Sequence, residues 1–80
     1  MPPQDFLTPE ARLQALLREA RVESGLRQSD LAERLGQPQS FVSKYESGER
    51  RLDIMELRRV CQVLGLPLLE FVRRLEEALK

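Results

Sequence analysis

The stretch Gln28-Ser29-Asp30-Leu31-Ala32-Glu33-Arg34-Leu35-Gly36-Gln37-Pro38-Gln39-Ser40-Phe41-Val42-Ser43-Lys44-Tyr45-Glu46-Ser47-Gly48 decides the fold of this chain. Leu31 and Leu35 stand one helical turn apart, and Gly36 offers the left-handed conformation that ends a helix. A short helix is therefore expected over about residues 28–35. After Gln37 and Pro38, Val42 and Tyr45 resume the helical spacing, which stops at Ser47-Gly48. Two short helices with so brief a joint have to cross steeply. Ala32 falls where they approach each other, and a side chain no larger than a methyl group suits that crossing. Leu31, Leu35, Val42 and Tyr45 then form an inward wedge. Gln39, Ser40, Ser43, Lys44 and Ser47 are left on the outer face of the second of these helices, a face that is short, polar and free of acids.

Upstream, Thr8 is able to accept a hydrogen bond from a first-turn amide, and Pro9 fits the first helical position, where no amide donor is needed. Leu13, Leu16, Leu17 and Ala20 follow at helical spacing up to Gly25. Downstream, Asp53 and Glu56 have the spacing of a reciprocal cap at the start of a fourth helix, whose buried face is Leu57, Val60, Cys61 and Leu64. Gly65 closes that helix and Pro67 opens a fifth, along which Leu68, Phe71, Val72, Leu75 and Leu79 recur. No strand pattern or internal repeat appears. The expectation is an all-α bundle of five helices in one domain over residues 8–80, preceded by a flexible arm over residues 1–7, which holds Pro2 and Pro3 and little periodicity.

Composition narrows the chemistry. Apolar residues make up 41% of the 80 residues and charged ones 32%, enough to build one small core and too many dispersed charges for a membrane span. A soluble protein is expected, with no membrane partner. A formal net charge of zero argues against a protein that coats nucleic acid indiscriminately, though it leaves room for a local basic face. The lone Cys61 cannot form an internal disulfide, and no apolar signal segment follows Met1, so the cytoplasm is the expected compartment. With no histidine and one thiol, the common ligands of structural zinc and the Ser-His and Cys-His nucleophile pairs are missing. Neither a cofactor nor a metal is expected, and an enzyme is a remote reading. Cys61 shares a face with Leu57 and Leu64 and reads as a small apolar core residue.

An amide, hydroxyls and an ammonium group on one short helix match the donor and acceptor pattern displayed in the DNA major groove. The runs Leu26–Gly36 and Gln39–Gly48 resemble the Cro/cI-type, or XRE-type, helix-turn-helix family, through Gln28-x-x-Leu31-Ala32, then Gly36, then Ser43-Lys44-Tyr45-Glu46-x-Gly48. The resemblance covers about Leu13 to Phe71 and implies a bundle of the lambda-repressor-like type. Two positions depart from it: Arg27 stands where the family usually has a Thr or Ser cap, and Pro38 where it has Ser or Thr. Pro38 either precedes the third helix or is its first residue with Gln37 as cap. By the resemblance, Gln28 would bind a phosphate, Gln39, Ser40 and Lys44 would reach base edges, and Ser43 would touch the DNA backbone. Arg50 and Arg51, in the following loop, would hold neighbouring phosphates. A merely solvated loop is the alternative for the two arginines, since Glu49 beside them partly cancels their field. Phe41 reads either as partial packing or as a contact to a thymine methyl group. Glu46 reads as structural, bonding to the following turn, because a carboxylate near phosphate is repelled.

The resemblance implies a sequence-specific transcriptional regulator with double-stranded DNA as its partner. The apolar residues of the fifth helix occupy more of its circumference than one packed side needs, so Leu68, Phe71, Val72, Leu75 and Leu79 are expected to join two copies, with Leu75 at the centre. Such a homodimer would meet an inverted repeat with half-sites roughly 34 Å apart. The alternative is an antitoxin-like module whose main partner is a second protein.

Overall fold

The computed structural model describes residues 8–80; the arm expected over residues 1–7 lies outside them. Five helices follow in order: α1 (Pro9–Glu23), α2 (Gln28–Leu35), α3 (Gln39–Ser47), α4 (Ile54–Leu64) and α5 (Leu68–Ala78). No strand occurs among the described residues. Local signals account for most of the boundaries. Thr8 is extended, and its hydroxyl accepts from the Ala11 amide at 3.0 Å. Asp53 and Glu56 cap α4 reciprocally: the Glu56 amide donates to Asp53 Oδ1 at 2.7 Å, and the Asp53 amide donates to Glu56 Oε1 at 2.9 Å.

The two positions where cap residues were unusual resolve differently. Arg27 has no oxygen to offer, so only half of the reciprocal cap forms, with its amide donating to Asp30 Oδ2 at 3.0 Å. Its guanidinium grips the same carboxylate through Nε and Nη2. Pro38 is extended and precedes α3, its carbonyl accepting from the Phe41 amide at 2.9 Å. Gln39 is thus the first helical residue. Between α2 and α3, Gly36 adopts φ +69°, a left-handed conformation costly for any residue with a Cβ, and this lets the joint take only three residues. Gly48 (φ +88°) ends α3 against α1, where an added Cβ would lie 2.6 Å from Gln14 Nε2.

The core is one cluster of Leu17, Leu31, Ala32, Val42, Tyr45, Val60, Cys61 and Phe71, drawn from all five helices. α2 packs on α3 and α4, α1 on α3 and α5, and α4 on α5. Burying each of the larger aliphatic or phenyl side chains contributes about 1.5–3 kcal/mol, so the helix-turn-helix wedge is held from both sides. Leu35, expected in the wedge, is partly buried and packs on the cluster from outside. Cys61 is 1% exposed, and that burial pushes its thiol above its ordinary range.

The fifth helix divides into two stripes. Phe71 is 1% exposed and belongs to the core, and Leu68 packs against that core. Leu69, by contrast, is 82% exposed and Leu79 42%, with Val72 and Leu75 partly buried. Phe71 therefore serves its own chain's core and is not available to a second copy, a correction to its place in the expected dimer surface. The helical period brought it onto the list, but that period cannot say which way the helix faces.

Candidate nucleic-acid interface

α3 turns Val42 and Tyr45 inward and leaves Gln39, Ser40, Lys44 and Ser47 exposed, with Ser43 partly so. Two of the hydroxyls donate within the helix: Ser43 Oγ to the Ser40 carbonyl at 3.2 Å and Ser47 Oγ to the Lys44 carbonyl at 3.1 Å. Each keeps acceptor capacity outward. The side chains of Gln39, Ser40 and Lys44 make no bond to other described residues, so one carboxamide, one hydroxyl and one ammonium group stand together on an exposed helix face.

The single acid of α3 is turned away from this face. Glu46 receives Arg21 of α1 through Nε at 2.8 Å and Nη2 at 3.2 Å, and Gln28 of α2 through Nε2 at 3.1 Å. Arg21 Nη1 also donates to the Leu26 carbonyl at 2.8 Å. Glu46 is structural, as expected, but its bonds go to α1 and α2 and not to the turn that follows it. The network neutralises the carboxylate and joins three helices behind the outer face. It also holds the Gln28 amide, whose second N–H and carbonyl remain for another partner at the first residue of α2, where unpaired helix amides favour an anion. Sequence reading missed Arg21, which stands 25 residues from Glu46 and carries no local signal.

The loop after α3 separates the two arginines. Arg51 is exposed, and its side chain has no partner among the described residues. Arg50 is engaged within the chain: Nη2 donates to Glu56 Oε2 at 2.7 Å and Nη1 to Glu56 Oε1 at 3.2 Å, while its carbon Cζ lies 4.6 Å from the centre of the Phe41 ring. Phe41 meets Tyr45 edge to face at 5.6 Å and packs against the core, the first of its two sequence readings. The bond from Arg50, followed by that from the Asp53 amide, holds the Glu56 carboxyl below its usual range. The Asp30 carboxyl is lowered to about 2 by the Arg27 guanidinium and amide. Among the described residues, no cluster of His, Cys, Asp and Glu is arranged to hold a metal ion, and no helix is long and apolar enough to cross a membrane.

Two short helices packed on each other across a three-residue joint, the second exposing a polar face free of unpaired acids, define a helix-turn-helix DNA-binding domain. The chain belongs to the Cro/cI-type, or XRE, helix-turn-helix family, and its bundle is of the lambda-repressor-like type. The family model described as helix-turn-helix matches residues 17–71. Among solved structures, the chain is similar to an XRE-family like protein from Pseudomonas syringae pv. tomato str. DC3000. The identity is 48% over 84% of this chain and 85% of that one, with a TM-score of 0.74. No curated protein matches. The family is one of DNA-binding proteins and not of enzymes.

Proposed function

We propose that this chain is a sequence-specific transcriptional regulator that binds an inverted-repeat operator as a homodimer in the cytoplasm. The observation that carries this reading is the outer face of α3, where Gln39, Ser40 and Lys44 are exposed and make no side-chain bond to other described residues, while Val42 and Tyr45 anchor the helix. Gln39 pairs its carboxamide with an adenine edge, a contact that discriminates by about 1–3 kcal/mol, and Lys44 donates to guanine acceptors. Gln28, Ser43 and Arg51 hold the backbone and set the register without reading sequence.

The outer stripe of α5 supports the homodimer. Leu69 at 82% exposure is a large apolar side chain in water, and a twofold axis lets Leu69, Val72 and Leu79 bury themselves against their copies. Two reading helices held in this way meet half-sites on one side of the duplex. Selection of bound fragments from a random DNA pool tests the reading. Enrichment of an inverted repeat with half-sites roughly 34 Å apart is expected. A pool that stays random after several rounds, with the protein folded, would overturn it.

A further inference from the structure

We propose that Arg50 is a positioning residue for DNA reading, a strut that sets the pose of α3 against α4, and not a ligand for phosphate. This rests on the reading of α3 as the helix that meets the bases.

Four contacts converge on this one residue. Its amide donates to the Lys44 carbonyl at 3.2 Å, in the last turn of α3. Its guanidinium lies over the Phe41 ring of the same helix. Both terminal nitrogens reach Glu56, and Nη1 also donates to the Arg51 carbonyl at 3.1 Å. Glu56 Oε1 at the same time accepts from the Asp53 amide at the head of α4. A planar cation that stacks by its face and binds a carboxylate by its edge fixes two directions at once, which a lysine ammonium cannot do. The ring it covers is flanked by the residues that read: Ser40 is adjacent in sequence, and Lys44 is one turn on. A rotation of α3 that moved these side chains along a base edge would drag Phe41 from under Arg50.

The same geometry counts against phosphate. A carboxylate oxygen 2.7 Å from Nη2 already occupies the edge on which a phosphate would bind, and it repels a second anion. Arg51, next in sequence, carries no such partner among the described residues. The positive charge that the loop offers to DNA is therefore the charge of Arg51.

The test compares Arg50→Gln, Arg50→Lys and Glu56→Gln with the unmodified protein, and uses Gln39→Ala as a reference. Affinity for the selected operator and for random DNA of equal length is titrated over a salt series, at a temperature where circular dichroism shows each variant folded. Arg50→Gln and Glu56→Gln are each expected to lower the preference for the operator by about tenfold, within the range that one base contact supplies. The salt slope of Arg50→Gln should be unchanged, and Arg50→Lys should not restore the preference. A slope shallower by about one unit in Arg50→Gln would make Arg50 a phosphate ligand and overturn the proposal. So would a Glu56→Gln protein that binds both DNAs more tightly with its preference intact. Glu56→Gln keeps neutral hydrogen-bonding groups at the cap, so it carries the test if Arg50→Gln does not fold. If Gln39→Ala loses preference while Arg50→Gln and Glu56→Gln keep theirs, the strut fails and α3 remains the reader. If Gln39→Ala keeps its preference, the reading helix is wrong and the strut falls with it.

Discussion

Arg21 on α1 and Glu46 on α3 form an ion pair through two hydrogen bonds, of 2.8 and 3.2 Å, with side chains only 11% and 4% exposed. Removing one partner strands the other charge out of water, whereas removing both spares that cost. Glu46→Ala should therefore destabilise the fold by about 3–5 kcal/mol, and the double variant Arg21→Met/Glu46→Leu should recover most of the loss. Urea denaturation of the two proteins checks this. Equal stabilities for Glu46→Ala and the unmodified protein would show that water reaches the pair.

Gln39→Ala and Lys44→Ala should weaken binding to the selected operator far more than binding to random DNA, because base contacts carry sequence information and phosphate contacts do not. Both side chains are exposed, so the helical content should be unchanged. Equal losses on the two DNAs would exclude α3 as the reader.

Arg51→Ala should weaken both DNAs alike, and its plot of log affinity against log salt should be shallower by about one unit. This residue provides the contrast to Arg50, whose guanidinium is already committed to Glu56. An unchanged slope would show that the loop does not touch phosphate.

Leu69→Glu should give a folded monomer with sharply reduced operator affinity, since it places a charge at the most exposed apolar position of α5. Sedimentation and titration of labelled DNA measure the two effects. Phe71→Ala should instead cost about 3–5 kcal/mol of stability through a core cavity. A Leu69→Glu protein that stays dimeric would move the interface off the outer stripe.

Acid should expose the caps. The Asp30 carboxyl titrates at about 2 against an ordinary 3.8, and Glu56 is lowered in the same direction. A carboxyl depressed in the folded state contributes stability above its ordinary value, and that contribution is lost as the pH falls through its folded value. The melting temperature should therefore drop between about pH 4 and pH 2. Asp30→Asn should start lower at neutral pH and lose less over that window. Parallel curves for the two proteins would remove the Arg27–Asp30 pair from the account.

What the sequence determined by itself was the set of helices and the inner faces of the first four. Thr8, the Asp53 and Glu56 pair, and Gly36 act within three or four residues of where they stand, and helical periodicity brings Leu31, Val42, Tyr45, Val60 and Cys61 to the core. The exposed polar face of α3 followed from the same periodicity, because a residue opposite a buried one has nowhere else to point. The tertiary structure alone decided what depends on a partner distant in sequence. Glu46 meets Arg21 across 25 positions. Arg50 and Arg51 are chemically equivalent neighbours until α4 brings Glu56 under one of them. On α5, an apolar run too broad for one face is split between core and surface by the packing of the helix against α1 and α4, and so Phe71 went inward and Leu69 stayed out. Backbone geometry repeats every few residues and leaves its mark in the sequence. Contacts between helices depend on how whole elements cross, and no short stretch of residues encodes that crossing.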